Sequence, residues 1–90
     1  MIMEEIVTIQ NSLGIHARPA ALFVQVASRF KSKISVIRDG MEVNGKSIMG
    51  VLMLAAEQGA QLSVRADGDD AGDAINALVE LIEERKFDEE

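Results

Sequence analysis

Gly14-Ile15-His16-Ala17-Arg18-Pro19-Ala20 holds the only histidine and the only proline of the chain. Proline lacks a backbone N–H and is tolerated in the first turn of a helix, where that donor would have no intrahelical partner. Pro19 therefore predicts a helix that starts just before it, with His16 at or next to the N-cap. Gly14 permits the tight path by which an incoming strand turns into that helix. The free N–H groups of the first turn and the positive end of the helix dipole then converge on the imidazole, and such a helix end holds anions, phosphate above all. Arg18 adds a guanidinium whose planar fork suits phosphate oxygens. A nucleophilic nitrogen beside an anion cradle points to a covalent phosphohistidine. The competing reading makes His16 a cap or surface residue and Arg18 a solvated first-turn side chain.

Upstream, Glu5 to Gln10 alternates, with Val7 and Ile9 on one face and Thr8 and Gln10 on the other, which predicts a first strand. Downstream, Ala20, Phe23, Val24, Ala27 and Phe30 fall at helical spacing and predict the buried stripe. Ile34, Val36 and Arg38 alternate with Ser35 and Ile37, and Asp39-Gly40 is the kind of two-residue turn that closes a hairpin into Met41-Glu42-Val43. Asn44-Gly45 ends that strand, and Ser47 is a good N-cap for a short helix. Gln61 to Ala66 reads as a strand with Leu62, Val64 and Ala66 inward. Asp67-Gly68-Asp69 breaks it, and a last helix from about Asp70 to Glu84 presents Ala71, Ile75, Leu78 and Ile82. The order is βαββαβα. Strands with one apolar face need cover on that face alone, so the pattern predicts an α+β fold, an antiparallel sheet with its helices on one side.

Ile48 to Ala56 is apolar throughout except Gly50. A short helix on a small sheet buries only part of its circumference, so some of these side chains stay outside. Val51 and Leu54 are assigned to the core. Exposed apolar clusters mark contact surfaces, and flexible methionines suit one that meets several partners.

Ninety residues with 48% apolar content make one small domain spanning 1–90, with a modest core. The absence of cysteine excludes a disulfide framework, and one histidine is too few for the common zinc constellations, so no metal and no cofactor are expected. Glu4 and Glu5 stand where a signal peptide would be basic, and no stretch approaches transmembrane length, so a soluble cytoplasmic chain is expected. A net charge of −6 and three aromatic residues argue against a nucleic-acid surface. The charge is uneven. Arg18, Arg29, Lys31, Lys33, Arg38 and Lys46 face only Asp39 and Glu42 between His16 and Lys46, whereas acids dominate from Asp67 onward. The basic part would steer an acidic or phosphorylated partner, and most of the acidic tail reads as solvated surface.

G-I-H-A-R-P-A resembles the phosphorylation-site motif of the HPr family, the histidine-containing phosphocarriers of the bacterial phosphoenolpyruvate:sugar phosphotransferase system. V-N-G-K-S-I-M-G-V, from Val43 to Val51, resembles the same family's other signature. The resemblance covers essentially the whole chain and implies an open-faced β-sandwich of four strands and three helices. It further implies that His16 takes a phosphoryl group on Nδ1 from the phosphohistidine of Enzyme I and passes it to an EIIA domain. Arg18 and the Ala17 and Arg18 backbone N–H groups would then stabilise the charge of the transferring group. His16 must be neutral to attack, and the positive helix end disfavours imidazolium by roughly 0.3–1 kcal/mol. Ile48, Met49 and Leu52 match positions that meet partner proteins near the reactive histidine. A carrier must also release its phosphate, so an exposed site is expected. A transient carrier is a monomer by default.

The serine matching Ser47 is phosphorylated in some members by an ATP-dependent HPr kinase/phosphorylase. That group would place about two negative charges beside Ile48, Met49 and Leu52 and weaken docking of an acidic partner. Ile15 stands where leucine is commoner, and Leu13 where many members carry a small or polar residue. The first should keep the apolar contact, and the second bears on partner preference. The alternative reading is a regulatory interaction module, either a nitrogen-type phosphotransferase paralogue or a protein controlled through Ser47. An independent enzyme is disfavoured, because the chain has no paired acid and base and no substrate-pocket motif.

Overall fold

The computed structural model describes residues 1–90. Its elements run β1 (Ile2–Thr8), α1 (Ala17–Ala27), β2 (Lys33–Arg38), β3 (Met41–Asn44), α2 (Ile48–Met53), β4 (Gln61–Asp67) and α3 (Ala71–Val79), in the expected order. A π-helical turn over Glu80–Glu84 continues α3, and a 3₁₀ turn over Lys86–Asp88 follows. The four strands form one sheet in the order β1-β4-β2-β3, with every pairing antiparallel. The helices cover one face and leave the other open, the α+β open-faced β-sandwich expected above.

Alternation is cleanest where a strand has neighbours on both sides. In β4, Leu62, Val64 and Ala66 are buried, while Gln61 and Asp67 at its ends are exposed. β2, also central, buries Ile34 and Val36 and, in addition, Ser35, which pairs with Arg65 on one side and Asn44 on the other. The β2–β3 hairpin closes through Asp39 (φ 49°) and Gly40 (φ 82°), both in the left-handed region that a two-residue turn between twisted strands requires.

The first strand starts and ends earlier than Glu5 to Gln10. β1 lies at the sheet edge and its extent is set by β4, from Ile2 opposite Asp67 to Thr8 opposite Gln61. Residues 2–6 are exposed on both faces, so burial leaves no apolar alternation there for the sequence to report. Ile9, just past the strand, is still buried and bonds to Ala60 and Gly59 through its backbone.

The stripe of α1 is also rotated from expectation. Ala20, Phe23 and Ala27 are buried as expected, but Pro19 and Val26 join them, while Val24 and Phe30 are only partly covered. Pro19, Phe23 and Val26 follow the i, i+4, i+7 line, so the buried arc is centred on that side of the helix. In the last helix, Ala71, Ile75, Leu78 and Ile82 are all buried. Asp70 begins it and accepts from the Lys31 and Ser32 backbone N–H groups and the Ser32 hydroxyl, tying the loop before β2 to the start of α3.

Candidate functional site

His16 is the N-cap of α1, with extended backbone (φ −102°, ψ −166°), and Pro19 is the third helical residue. The His16 ring makes no capping hydrogen bond. The first intrahelical donor is Ala20, whose N–H reaches the His16 carbonyl at 3.0 Å. The Ala17 and Arg18 N–H groups precede it and donate to no protein acceptor, as the start of a helix dictates.

The loop that delivers His16 is held by its own backbone. Gly14 has φ +67°, and its N–H reaches the Asn11 carbonyl at 3.1 Å. The Ile15 N–H donates to the Ala56 carbonyl at 2.8 Å, which joins the loop to the chain leaving α2. A side chain at Gly14 would place its Cβ 2.4 Å from that same carbonyl oxygen. Glycine is therefore required by close approach as well as by dihedral angle.

What occupies the space beside His16 is the chain's own tail. The Glu89 carboxylate lies 3.0 and 3.1 Å from His16 Nε2, one distance for each oxygen. It also accepts from Arg18 Nη1 at 2.9 Å and from Asn11 Nδ2 at 2.9 Å. Asn11 is fully buried, and its second amide donor reaches the Gly14 carbonyl at 2.7 Å. Arg18 Nη1 also donates to the Phe87 carbonyl at 2.9 Å. Arg18 Nε and Nη2 have no protein partner and remain available to an anion. The hydrogen bond from His16, then that from Asn11 and the charges of His16 and Arg18, hold the Glu89 carboxyl below the usual carboxylate range, against the opposing effect of partial burial.

The tail is carried there by Phe87. Its ring is fully buried, although Lys86, Phe87 and Asp88 all have positive φ of 52–58°. The Ser12 N–H donates to the Glu90 carbonyl at 2.7 Å, closing the tail against the loop before His16. Most acidic tail residues are exposed, as the sequence suggested. Glu89 is the correction to that reading, since its side chain is only 17% exposed. No periodicity links positions 11, 16, 18 and 89. The available signal was a single phenylalanine inside an otherwise charged terminus.

Ser47 is the N-cap of α2, and its Oγ accepts from the Gly50 N–H at 3.0 Å. Val51 and Leu54 are buried, as assigned. Ile48 and Met49 are exposed, Met49 to 69%, and Met53 joins them at 63%. Leu52 is partly buried against the core and stands at the margin of that patch. Arg38 and Lys46 are less free than their charge suggested. Arg38 donates to the Leu54 and Ala55 carbonyls and to Glu57, and Lys46 donates to the Phe30 carbonyl. His16 and Arg18 side chains are 39% and 51% exposed, an open site.

An α+β open-faced sandwich that presents a histidine and an arginine at the start of its first helix defines the class. A family model described as PTS HPr component phosphorylation site matches residues 3–84. The chain belongs to the HPr family of phosphocarrier proteins. It is 50% identical over 84 residues to phosphocarrier protein HPr of Treponema pallidum, covering 93% of this chain and 94% of that protein. The crystal structure of HPr-C-His from Thermoanaerobacter tengcongensis superposes with a TM-score of 0.92 at 53% identity, covering 98% of each chain. The HPr dimer from the same organism gives 0.75 at 52% identity, covering 89% of this chain and 92% of that one.

Proposed function

We propose that this chain carries a phosphoryl group on His16 Nδ1, accepted from phospho-Enzyme I and passed to EIIA domains in sugar uptake. The observation that carries the reading is the anion already held between His16 and Arg18, the Glu89 carboxylate. A cluster that binds one oxyanion through a guanidinium, at a helix end with two unpaired N–H groups, has the chemistry to stabilise another. Arg18 Nε and Nη2 and the Ala17 and Arg18 N–H groups would meet the transferring oxygens. The open setting suits a group that must leave again. In this reading the 1–90 chain works as a single cytoplasmic unit, a monomer and a carrier instead of an enzyme. Ile48 and Met49, with Met53 and the margin of Leu52, form the surface on which partners dock.

Intact mass after incubation with Enzyme I and phosphoenolpyruvate tests the carrier. One added phosphoryl that brief acid treatment removes, and that His16→Ala never acquires, is the expected result. No gain with a cognate, active Enzyme I overturns it. Arg18→Ala should slow that transfer by about 100-fold, the scale for losing one electrostatic stabiliser, with the thermal transition retained. An unchanged rate would return Arg18 to the surface.

A regulatory role for Ser47 is favoured by one observation. Its Oγ caps α2 immediately before the exposed Ile48 and Met49, so a phosphate added there by an HPr kinase/phosphorylase would sit at a helix N-terminus that tolerates it. Its charge would lie next to the docking surface.

A further inference from the structure

This inference rests on the proposed phosphoryl chemistry and assigns one of its positioning residues. A carboxylate has no proton to donate, so the bond between Glu89 and His16 Nε2 requires the proton to be on Nε2. In a neutral imidazole the other nitrogen then carries the lone pair. Both Glu89 oxygens approach the same ring nitrogen, and each is steadied by a second donor, Oε1 by the buried Asn11 amide and Oε2 by Arg18. The carboxylate is therefore not a loose tail group that happens to touch the ring. Its position is set by Phe87, packed in the core two residues earlier, and by the Ser12–Glu90 backbone bond one residue later.

We infer that Glu89 is a positioning residue, which holds His16 as the Nε2–H tautomer and so presents Nδ1 as the nucleophile. The Nδ1 lone pair forms the bond to phosphorus as the N–P bond of the donor phosphohistidine breaks, and that bonding pair returns to the donor nitrogen. No proton moves, because Nε2 keeps its own. The phosphorylated ring is cationic, and its Nε2–H faces the Glu89 carboxylate. The same contact that selects the tautomer stabilises the product, the logic by which a carboxylate orients a functional histidine elsewhere.

The test separates this role from the carrier reading. Long-range ¹H–¹⁵N spectra of the unphosphorylated protein report the tautomer directly, and the rate of phosphorylation by Enzyme I with phosphoenolpyruvate reports its consequence. The wild type should show a pyridine-like Nδ1 and a pyrrole-like Nε2. Glu89→Gln, close in size, should mix the tautomers and slow phosphorylation by about 10–100-fold, by analogy with the loss on removing the hydrogen-bond partner of a metal-ligating histidine. Glu90→Gln removes the neighbouring charge but leaves the Glu89 carboxylate in place, so it should match the wild type in both measurements. A Glu89→Gln protein with an unshifted tautomer, an unchanged rate, or a loss equalled by Glu90→Gln overturns the assignment. A wild-type chain that takes no phosphoryl group fails the carrier reading instead, and the tautomer measurement still stands by itself.

Discussion

Gly14→Ala is expected to destabilise the protein by about 2–5 kcal/mol. Two effects combine. The residue has φ +67°, where a Cβ costs roughly 1–2 kcal/mol. The new carbon would also sit 2.4 Å from the Ala56 carbonyl oxygen and 2.9 Å from Glu57 Cα, both backbone atoms that cannot swing aside like a side-chain tip. Relieving such overpacking costs about 1–3 kcal/mol more. The two segments are joined at that point by the Ile15–Ala56 hydrogen bond, so any movement apart weakens it and carries His16 with it. For a domain of this size the fall in Tm should be at least about 10 °C. Phosphorylation by Enzyme I should fall with it even at temperatures where the variant is folded. Gly72→Ala is the control of opposite sign. It lies in α3 with nothing within 4 Å of the added carbon, so it should be neutral or stabilising by about 0.5–1 kcal/mol. Equal melting of the two variants would show that the loop around Gly14 rebuilds freely.

Phe87→Ala should lower stability by about 3–5 kcal/mol, the usual loss for emptying a buried phenyl site. That is a large fraction of the roughly 5–15 kcal/mol available to a small domain. The ring is fully buried although all other residues from Glu83 to Glu90 are charged. Its burial offsets the left-handed backbone of Lys86, Phe87 and Asp88, which by itself is unfavourable for residues other than glycine. Without the ring, that conformation has little to hold it. The Glu89 contacts with His16, Arg18 and Asn11 should then be lost, even though none of those four side chains has been changed. Urea unfolding gives the first part of the prediction, and amide exchange of residues 86–90 the second. Phe87→Leu should recover much of the stability and retain slow exchange. If Phe87→Ala melts like the wild type, the ring is not an anchor and the tail is held by its polar contacts alone.

The two variants probe different parts of one arrangement, and the sequence exposed them unequally. Pro19, Gly14 and the single histidine were enough to place a helix start and to put His16 at its N-cap, because those constraints act within a few residues. Ser47 as the cap of α2 and the Asp39-Gly40 hairpin were legible for the same reason. The alternation in β4 and the stripe of the last helix followed from burial on one face. Local rules did less well at the exposed sheet edge, as in β1, and in choosing between Val24 and Val26 of α1.

Backbone chemistry and hydrophobic period thus determined the order of elements, the helix that carries His16 and Arg18, and the side of each central strand that faces the core. These are properties of neighbours in sequence, and a side-chain pattern encodes them directly. The sheet order, the close approach of Gly14 to Ala56 and the placement of Glu89 on His16 Nε2 were decided only by tertiary structure. Each joins residues far apart along the chain, in the last case 73 positions, and no local preference of Glu89 distinguishes it from the acids around it. Its role comes from Phe87, whose burial in the core holds the carboxylate two residues later against the histidine.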